Sequence, residues 1–250
     1  MNNAVLVLSG LDPCGGAGLV ADIESINQFG VTPLVIITNL TVQNTASVEN
    51  LIEVDCNFII QQFECLQVDV DFKVVKIGLL SSIQQIRTIA KLVKNKIIVL
   101  DPIVKSSSDF DFLDSVLIDS LKHQLLPMVT VITPNLTELQ ILAGEQDEQK
   151  AIKKLSYNWI LLTKTDSSDD VIEHCLYHYG TLIQSFSYQK LPGSYHGSGC
   201  TLSSAMSALI ALGLDIEIAS KQALDYTYQT LLNAKSIGKM QMHPNRQKPL

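Results

Sequence analysis

Several features are scarce in this 250-residue sequence, and each shortage excludes a class of protein. No stretch approaches the roughly 20 apolar residues that a membrane span needs. The first apolar run, Ala4–Leu8, is too short for a signal sequence and has no basic region before it. Cationic residues are in the minority: 18 Lys and Arg against 25 Asp and Glu give a formal net charge of −7, with no basic patch. That argues against nucleic acid and anionic membranes as partners, while leaving room for an anionic small molecule at a local site. The five cysteines, Cys14, Cys56, Cys65, Cys175 and Cys200, are odd in number and none belongs to a C-x-x-C pair. The expectation is reduced thiols in a cytoplasm, with neither a disulfide frame nor a zinc site. Neither G-x-G-x-x-G nor the P-loop's Gly-Lys-Ser/Thr occurs, which disfavours a nicotinamide oxidoreductase. No Pro/Ser-rich linker, repeat or low-complexity run divides the chain, so one domain over residues 1–250 is expected.

What is present is apolar and periodic. Hydrophobic residues make up 46%, enough for a sizeable core. Short, nearly continuous apolar runs recur at Ala4–Leu8, Leu34–Ile37, Val74–Ile77, Ile97–Leu100, Val129–Ile132 and Ile160–Leu162. Such runs suit strands buried on both faces. Between them, Leu19, Ile23 and Ile26 share a helical face, as do Ile59, Phe63 and Leu66, and Leu202, Met206 and Leu209; Gly30 and Gly213 are plausible stops. Alternation of strand and helix predicts an α/β fold with a doubly wound, mostly parallel sheet. Residues 171–178 and 181–187, joined at Tyr179-Gly180, read as an antiparallel hairpin near one edge.

In open α/β sheets ligands bind beyond the carboxyl ends of the strands. There the sequence offers Gly10–Gly18, Gln43-Asn44-Thr45, Gly78, Asp101-Pro102, Thr133-Pro134-Asn135-Leu136-Thr137-Glu138 and Thr163-Lys164. The richest segment is Tyr195-His196-Gly197-Ser198-Gly199-Cys200-Thr201, followed by a strong helical pattern. A Gly-rich turn that opens a helix leaves backbone N–H groups unpaired, and the helix dipole makes them an anion site. A cysteine in that first turn has its thiolate favoured by the same field. The plain alternative is a helix start with an inert, buried Cys200. Asn135 and Glu138 suit a capping box, or a hydrated Mg²⁺ beside phosphate, with Asp101 as a second carboxylate. The Gln43 carboxamide sets a donor beside an acceptor, which matches an aminopyrimidine edge. Lys164 is open to two readings, a phosphate contact or a stem lying along the sheet edge. His196 is open to two as well, a phosphate donor or a structural residue.

Together, Asp12-Pro13-x-Gly-Gly-Ala-Gly18, Gln43-Asn44-Thr45, Lys76-Ile77-Gly78, Asp101-Pro102, Thr133-Pro134-Asn135-x-x-Glu138 and His196-Gly-Ser-Gly-Cys200-Thr201-Leu202-Ser203 resemble the hydroxymethylpyrimidine/phosphomethylpyrimidine kinases of thiamine biosynthesis, which have the ribokinase-like fold. The resemblance runs in order from about residue 4 to about residue 235. It implies phosphorylation of 4-amino-5-hydroxymethyl-2-methylpyrimidine and then of its monophosphate, with ATP as co-substrate and Mg²⁺. It makes Cys200 the base, where most ribokinase relatives carry aspartate, and the Gly197, Ser198 and Gly199 amides, with that of Cys200, the anion hole. Gln43 would hold the pyrimidine edge between Ala17 and Leu79. Asp101 and Glu138 would organise Mg²⁺ with Asn135 in support, and Lys164 would contact nucleotide phosphate. A homodimer is compatible with this resemblance. The chain departs from the family pattern at Leu11 and Cys14, where Thr and Ser are usual. It also departs at Lys105-Ser106, at Lys164-Thr165-Asp166-Ser167 and at Ile237-Gly238-Lys239-Met240-Gln241. Most of these lie on the nucleotide side. Two competing readings follow: a pyridoxal kinase of the same fold, and a catalytically weak paralogue that senses a pyrimidine.

Overall fold

The computed structural model describes residues 3–104, 114–155, 158–164 and 170–247. The altered stretches Lys105-Ser106 and Thr165-Asp166-Ser167 lie outside them. The strands are β1 (Ala4–Leu11), β2 (Thr32–Gln43), β3 (Val48–Glu53), β4 (Val74–Ile77), β5 (Ile97–Leu100), β6 (Val131–Ile132), β7 (Trp159–Leu162), β8 (Val171–His178) and β9 (Thr181–Gln189). The α-helices are α1 (Gly18–Asn27), α2 (Cys56–Asp69), α3 (Ile83–Leu92), α4 (Ser115–Gln124), α5 (Leu136–Ala143), α6 (Glu148–Lys154), α7 (Ser198–Ala211) and α8 (Ile216–Leu232).

One sheet takes all nine strands in the order β3-β2-β1-β4-β5-β6-β7-β8-β9. The pairs from β2 through β1, β4, β5 and β6 to β7 are parallel; β2–β3, β7–β8 and β8–β9 are antiparallel. Because side chains alternate along a strand, a continuous apolar run feeds two cores at once. Leu6 and Leu8 of β1 pack with Ile59, Ile86, Leu139 and Ile152, from α2, α3, α5 and α6. Val5 and Val7 pack on the opposite face with Leu19, Leu202, Met206 and Ala223, from α1, α7 and α8. The result is helix, sheet and helix in three layers, the ribokinase-like architecture expected.

Three expectations needed correction. Strand β2 does not stop at Ile37; it runs to Gln43, so Gln43 ends a strand instead of sitting in a loop. The reason is β3, which periodicity missed: Val48–Glu53 mixes polar and apolar residues without alternation and is mostly exposed at the sheet edge, yet it pairs with Asn39–Gln43 and holds them extended. Strand β6 is two residues shorter than its apolar run, because Leu126–Met128, with Pro127 near its start, turns the chain in a 3₁₀ helix first. The β8–β9 hairpin forms as expected. Tyr179 (φ 46°) and Gly180 (φ 76°) both take left-handed conformations, which suits a two-residue turn matched to strand twist.

Strand β1 lies between β2 and β4, where the chain's progress across the sheet reverses. Beyond the carboxyl ends of these strands is the place where this topology opens a crevice. Among the described residues no helix is long and apolar enough to cross a membrane. The five cysteines are free thiols.

Candidate active site

The crevice is a cavity of about 480 Å³. It gathers Ala17, Gln43, Leu79, Asp101, Asn135, Glu138, Gly197, Ser198, Gly199 and Cys200, ten of the eleven residues that the sequence nominated. The eleventh, Lys164, lines neither this cavity nor its neighbour. Its ammonium lies 2.7 Å from Glu148 Oε1 at the start of α6. A local acid competes for the lysine, and no sequence pattern announces that pairing.

The helix start that the sequence offers as an anion cradle is present. Gly197 takes φ +74° at the start of α7, and the first intrahelical bond runs from Thr201 N to Gly197 O (2.9 Å). The amides of Ser198, Gly199 and Cys200 precede that ladder and are the orphan donors of the helix. Gly197 also lies against the backbone of Gly16, so closely that a Cβ would collide with the Gly16 carbonyl. Arg246 locks the two glycine loops together. Its Nε donates to Thr201 Oγ1 (2.8 Å), its Nη1 to Glu24 (3.2 Å), and its Nη2 to Gly16 O. This C-terminal clamp was not legible in sequence.

Beneath the cradle is a buried chain of charge. Lys76 is fully buried in β4, with Nζ 2.8 Å from Asp22 Oδ1 and 4.0 Å from Asp101 Oδ2. Ser204 Oγ also donates to Asp22 (2.7 Å). Burial opposes the lysine's charge, but Asp22, Cys200 and Asp101 outweigh it and hold its pKa above the ordinary value. Lysine amid Val74, Val75 and Ile77 was a signal available in the sequence: a charge inside a two-sided strand needs a partner.

The position of Cys200 corrects one expectation. The helix N-terminus was expected to draw its thiol toward neutrality, yet burial pushes the thiol up. Lys76 and the Gly18 amide pull the other way, and the negative charges of Asp101 and Asp22 reinforce the burial. Cys200 is 5% exposed, whereas Cys65 is exposed. Alkylation is therefore expected first at Cys65.

Asp101 lies against the start of α7, where Ser203 Oγ is 3.4 Å from its Oδ2, and Glu138 lines the same cavity. The capping box is complete: Glu138 N donates to Asn135 Oδ1 (2.8 Å) and Asn135 N to Glu138 Oε2 (2.9 Å). Burial, and then the charge of Asp101, push Glu138 up to about 8. Burial raises Asp101 too, against the pull of Lys76. Two buried carboxyl groups that raise each other's cost of ionisation make a suitable seat for a hard divalent cation, because magnesium takes one or two carboxylates plus substrate phosphate. The cap and the metal reading are therefore compatible.

At the far end of the cavity, Asp12 accepts from Cys14 N, Cys14 Sγ and Ala17 N (2.9 Å each) and from His196 Nε2 (2.8 Å). Burial alone would raise its pKa, but these donors, His196 foremost, bring it to about 2. The Gln43 carboxamide spans 3.0 Å to His196 Nε2 and 3.2 Å to Thr41 Oγ1. Thr41 has one hydroxyl proton, directed at Leu11 O (2.9 Å), and His196 Nε2 carries one proton, directed at Asp12. With both protons committed, neither contact completes a hydrogen bond, and the Gln43 carboxamide keeps a free donor and a free acceptor. His196 is buried and joins the Gly197 loop to Asp12 in the first glycine loop.

A second cavity of about 400 Å³ adjoins the first and shares Thr163, Tyr195, Ser198 and Gly199 with it. Its walls include Ile172, His174, Tyr188, Leu224 and Tyr228. Burial, and then Lys164, bring His174 down to about 4, so that wall is neutral near pH 7. The cradle therefore stands at the junction of two compartments.

The phosphomethylpyrimidine kinase family model matches residues 12–245. The chain belongs to this family. A hydroxymethylpyrimidine/phosphomethylpyrimidine kinase of Mycobacterium tuberculosis is 31% identical over 253 residues, covering 94% of this chain and 90% of that protein. A kinase of the same description from Aquifex aeolicus is 30% identical, covering 94% and 96%. A solved phosphomethylpyrimidine kinase from Clostridium difficile superposes with TM-score 0.76 at 26% identity, covering 91% of this chain and 99% of that one. A Bacillus subtilis pyridoxal kinase, solved as an ADP complex, superposes with TM-score 0.89 at 24% identity and 98% coverage of each; at that identity the likeness speaks to fold. The chain is a kinase of the ribokinase-like fold.

Proposed function

We propose that the chain phosphorylates 4-amino-5-hydroxymethyl-2-methylpyrimidine and then its monophosphate, as one cytoplasmic kinase domain using ATP and Mg²⁺. The observation that carries this reading is the anion cradle at the junction of two cavities. Cys200 and Gln43 line only the larger one. The acceptor fits there, its ring between Ala17 and Leu79, with its amino edge on the free donor and acceptor of Gln43. The smaller cavity, with aromatic and neutral walls, suits a nucleotide base.

Phosphoryl transfer demands mainly positioning and charge stabilisation. The Ser198, Gly199 and Cys200 amides would bind the transferring phosphoryl group, and their dipoles are already oriented before it arrives. Asp101 and Glu138 would hold Mg²⁺, which supplies positive charge to the phosphates. Cys200, once its thiol had released its own proton to solvent through the cavity, would accept the proton of the hydroxymethyl group at Sγ. Lys76 supports that role by offsetting the carboxylates on either side of the thiol.

Two measurements test the acceptor side. Rates with hydroxymethylpyrimidine and pyridoxal, taken side by side with Mg-ATP, should favour the pyrimidine; a higher kcat/KM for pyridoxal would overturn the assignment. Gln43→Ala should weaken pyrimidine binding by about 1–3 kcal/mol, because a buried edge loses its partner. ATP affinity should change little. Equal losses for both ligands would show that Gln43 only shapes the end of β2.

A further inference from the structure

We propose that Asp12, Cys14 and His196 form a site for a thiophilic divalent ion, zinc being the natural candidate, at the pyrimidine end of the cleft. One carboxylate oxygen, one thiol sulfur and one imidazole nitrogen lie there within 4.8 Å of one another. Cys14 Sγ is 2.9 Å from Asp12 Oδ1, and His196 Nε2 is 2.8 Å from Asp12 Oδ2. Tetrahedral zinc, with bonds of about 2.0–2.3 Å, sets its ligand atoms roughly 3.3–3.5 Å apart; the two short contacts here run to different oxygens of Asp12, so the sulfur and the nitrogen have to converge on one of them. Sulfur and nitrogen donors select zinc over magnesium, which prefers oxygen. Asp12 and His196 line the cavity, so an ion held between them can be reached from the substrate space.

Proton balance is straightforward. The ion replaces two hydrogen bonds that now converge on Asp12. The Cys14 thiol proton leaves to solvent. The His196 proton moves from Nε2 to Nδ1, which is buried and has no partner in the free protein, so no bond is broken to receive it. Asp12 keeps its bonds from the Cys14 and Ala17 amides. The ion replaces the bond from His196 to Asp12, and the cation so placed beside Gln43 competes with the pyrimidine. The absence of a paired Cys motif suggested no zinc site. That inference holds for local spacing; here the fold joins Asp12 and Cys14 to a histidine 184 positions from Asp12. Cys14 also stands where the resemblance leads one to expect serine. The binding claim is independent of the kinase reading; the inhibition claim rests on it.

The test uses Co²⁺ as a spectroscopic probe on the purified full-length protein, followed by displacement with Zn²⁺. The expected result is a thiolate-to-cobalt charge-transfer band that saturates at one ion per chain. Cys14→Ser should abolish the band and weaken Zn²⁺ binding by at least about tenfold, the scale of losses seen even for outer-shell partners. Cys200→Ala should leave the band intact. Zn²⁺ should raise the apparent KM for the pyrimidine in the wild type and not in Cys14→Ser, which keeps basal activity because serine fits the same turn. No band in the wild type, or a band that survives Cys14→Ser, would overturn the proposal. A Cys14-dependent band in a protein with no kinase activity would instead overturn the kinase reading and leave the metal site standing.

Discussion

Cys200→Ala should lower turnover by about 10²–10⁴-fold, the range for losing a positioned acid–base group, while pyrimidine and ATP affinities stay near wild type. The substitution is small, and the cradle amides belong to the backbone. What is lost is the acceptor for the hydroxymethyl proton. Cys200→Asp should restore part of the rate, since Lys76 is in place to offset a carboxylate there and most ribokinase relatives use one. Steady-state kcat and KM for the three proteins, with circular dichroism as a fold control, are the readouts. A wild-type kcat in Cys200→Ala would make the thiol a packing residue.

The second large effect is on stability. Lys76→Met should destabilise the protein by about 3–5 kcal/mol, because removing one member of a buried pair leaves the other charge uncompensated. Lys76 and Asp22 side chains are both 0% exposed, and Asp101 loses its only described cationic neighbour with them. The double variant Lys76→Met/Asp22→Asn should recover most of the loss, since asparagine keeps the bond from Ser204 and carries no charge. Urea midpoints of the wild type, the single and the double variant measure this. An unchanged midpoint for Lys76→Met would show that the pair contributes nothing to stability.

How much of this was legible in the sequence varies with the range of the interaction. The buried strands could be read because residues facing two cores must be apolar on both sides, as β1 and β4 show. The anion cradle could be read because it is local: Gly197 to Thr201 fold into a helix start whatever surrounds them. Strand β3 could not be read, because an exposed edge strand has no apolar alternation to reveal it. The pKa direction of Cys200 was misjudged for a related reason. The helix field is local, but the burial and the two carboxylates that outweigh it come from β5, α1 and the packing around them. The Asp12–His196–Gln43 network joins residues up to 184 positions apart. The diversion of Lys164 to Glu148 depends on where α6 docks. Each needs the assembled fold.

The most direct test of the account is mass spectrometry of the products formed from hydroxymethylpyrimidine and Mg-ATP. The account predicts the monophosphate first and the diphosphate following it, each accompanied by ADP, and neither product when magnesium is chelated. Pyrimidine binding with no phosphorylated product at any magnesium concentration would contradict it and leave the chain a pyrimidine sensor on a kinase fold.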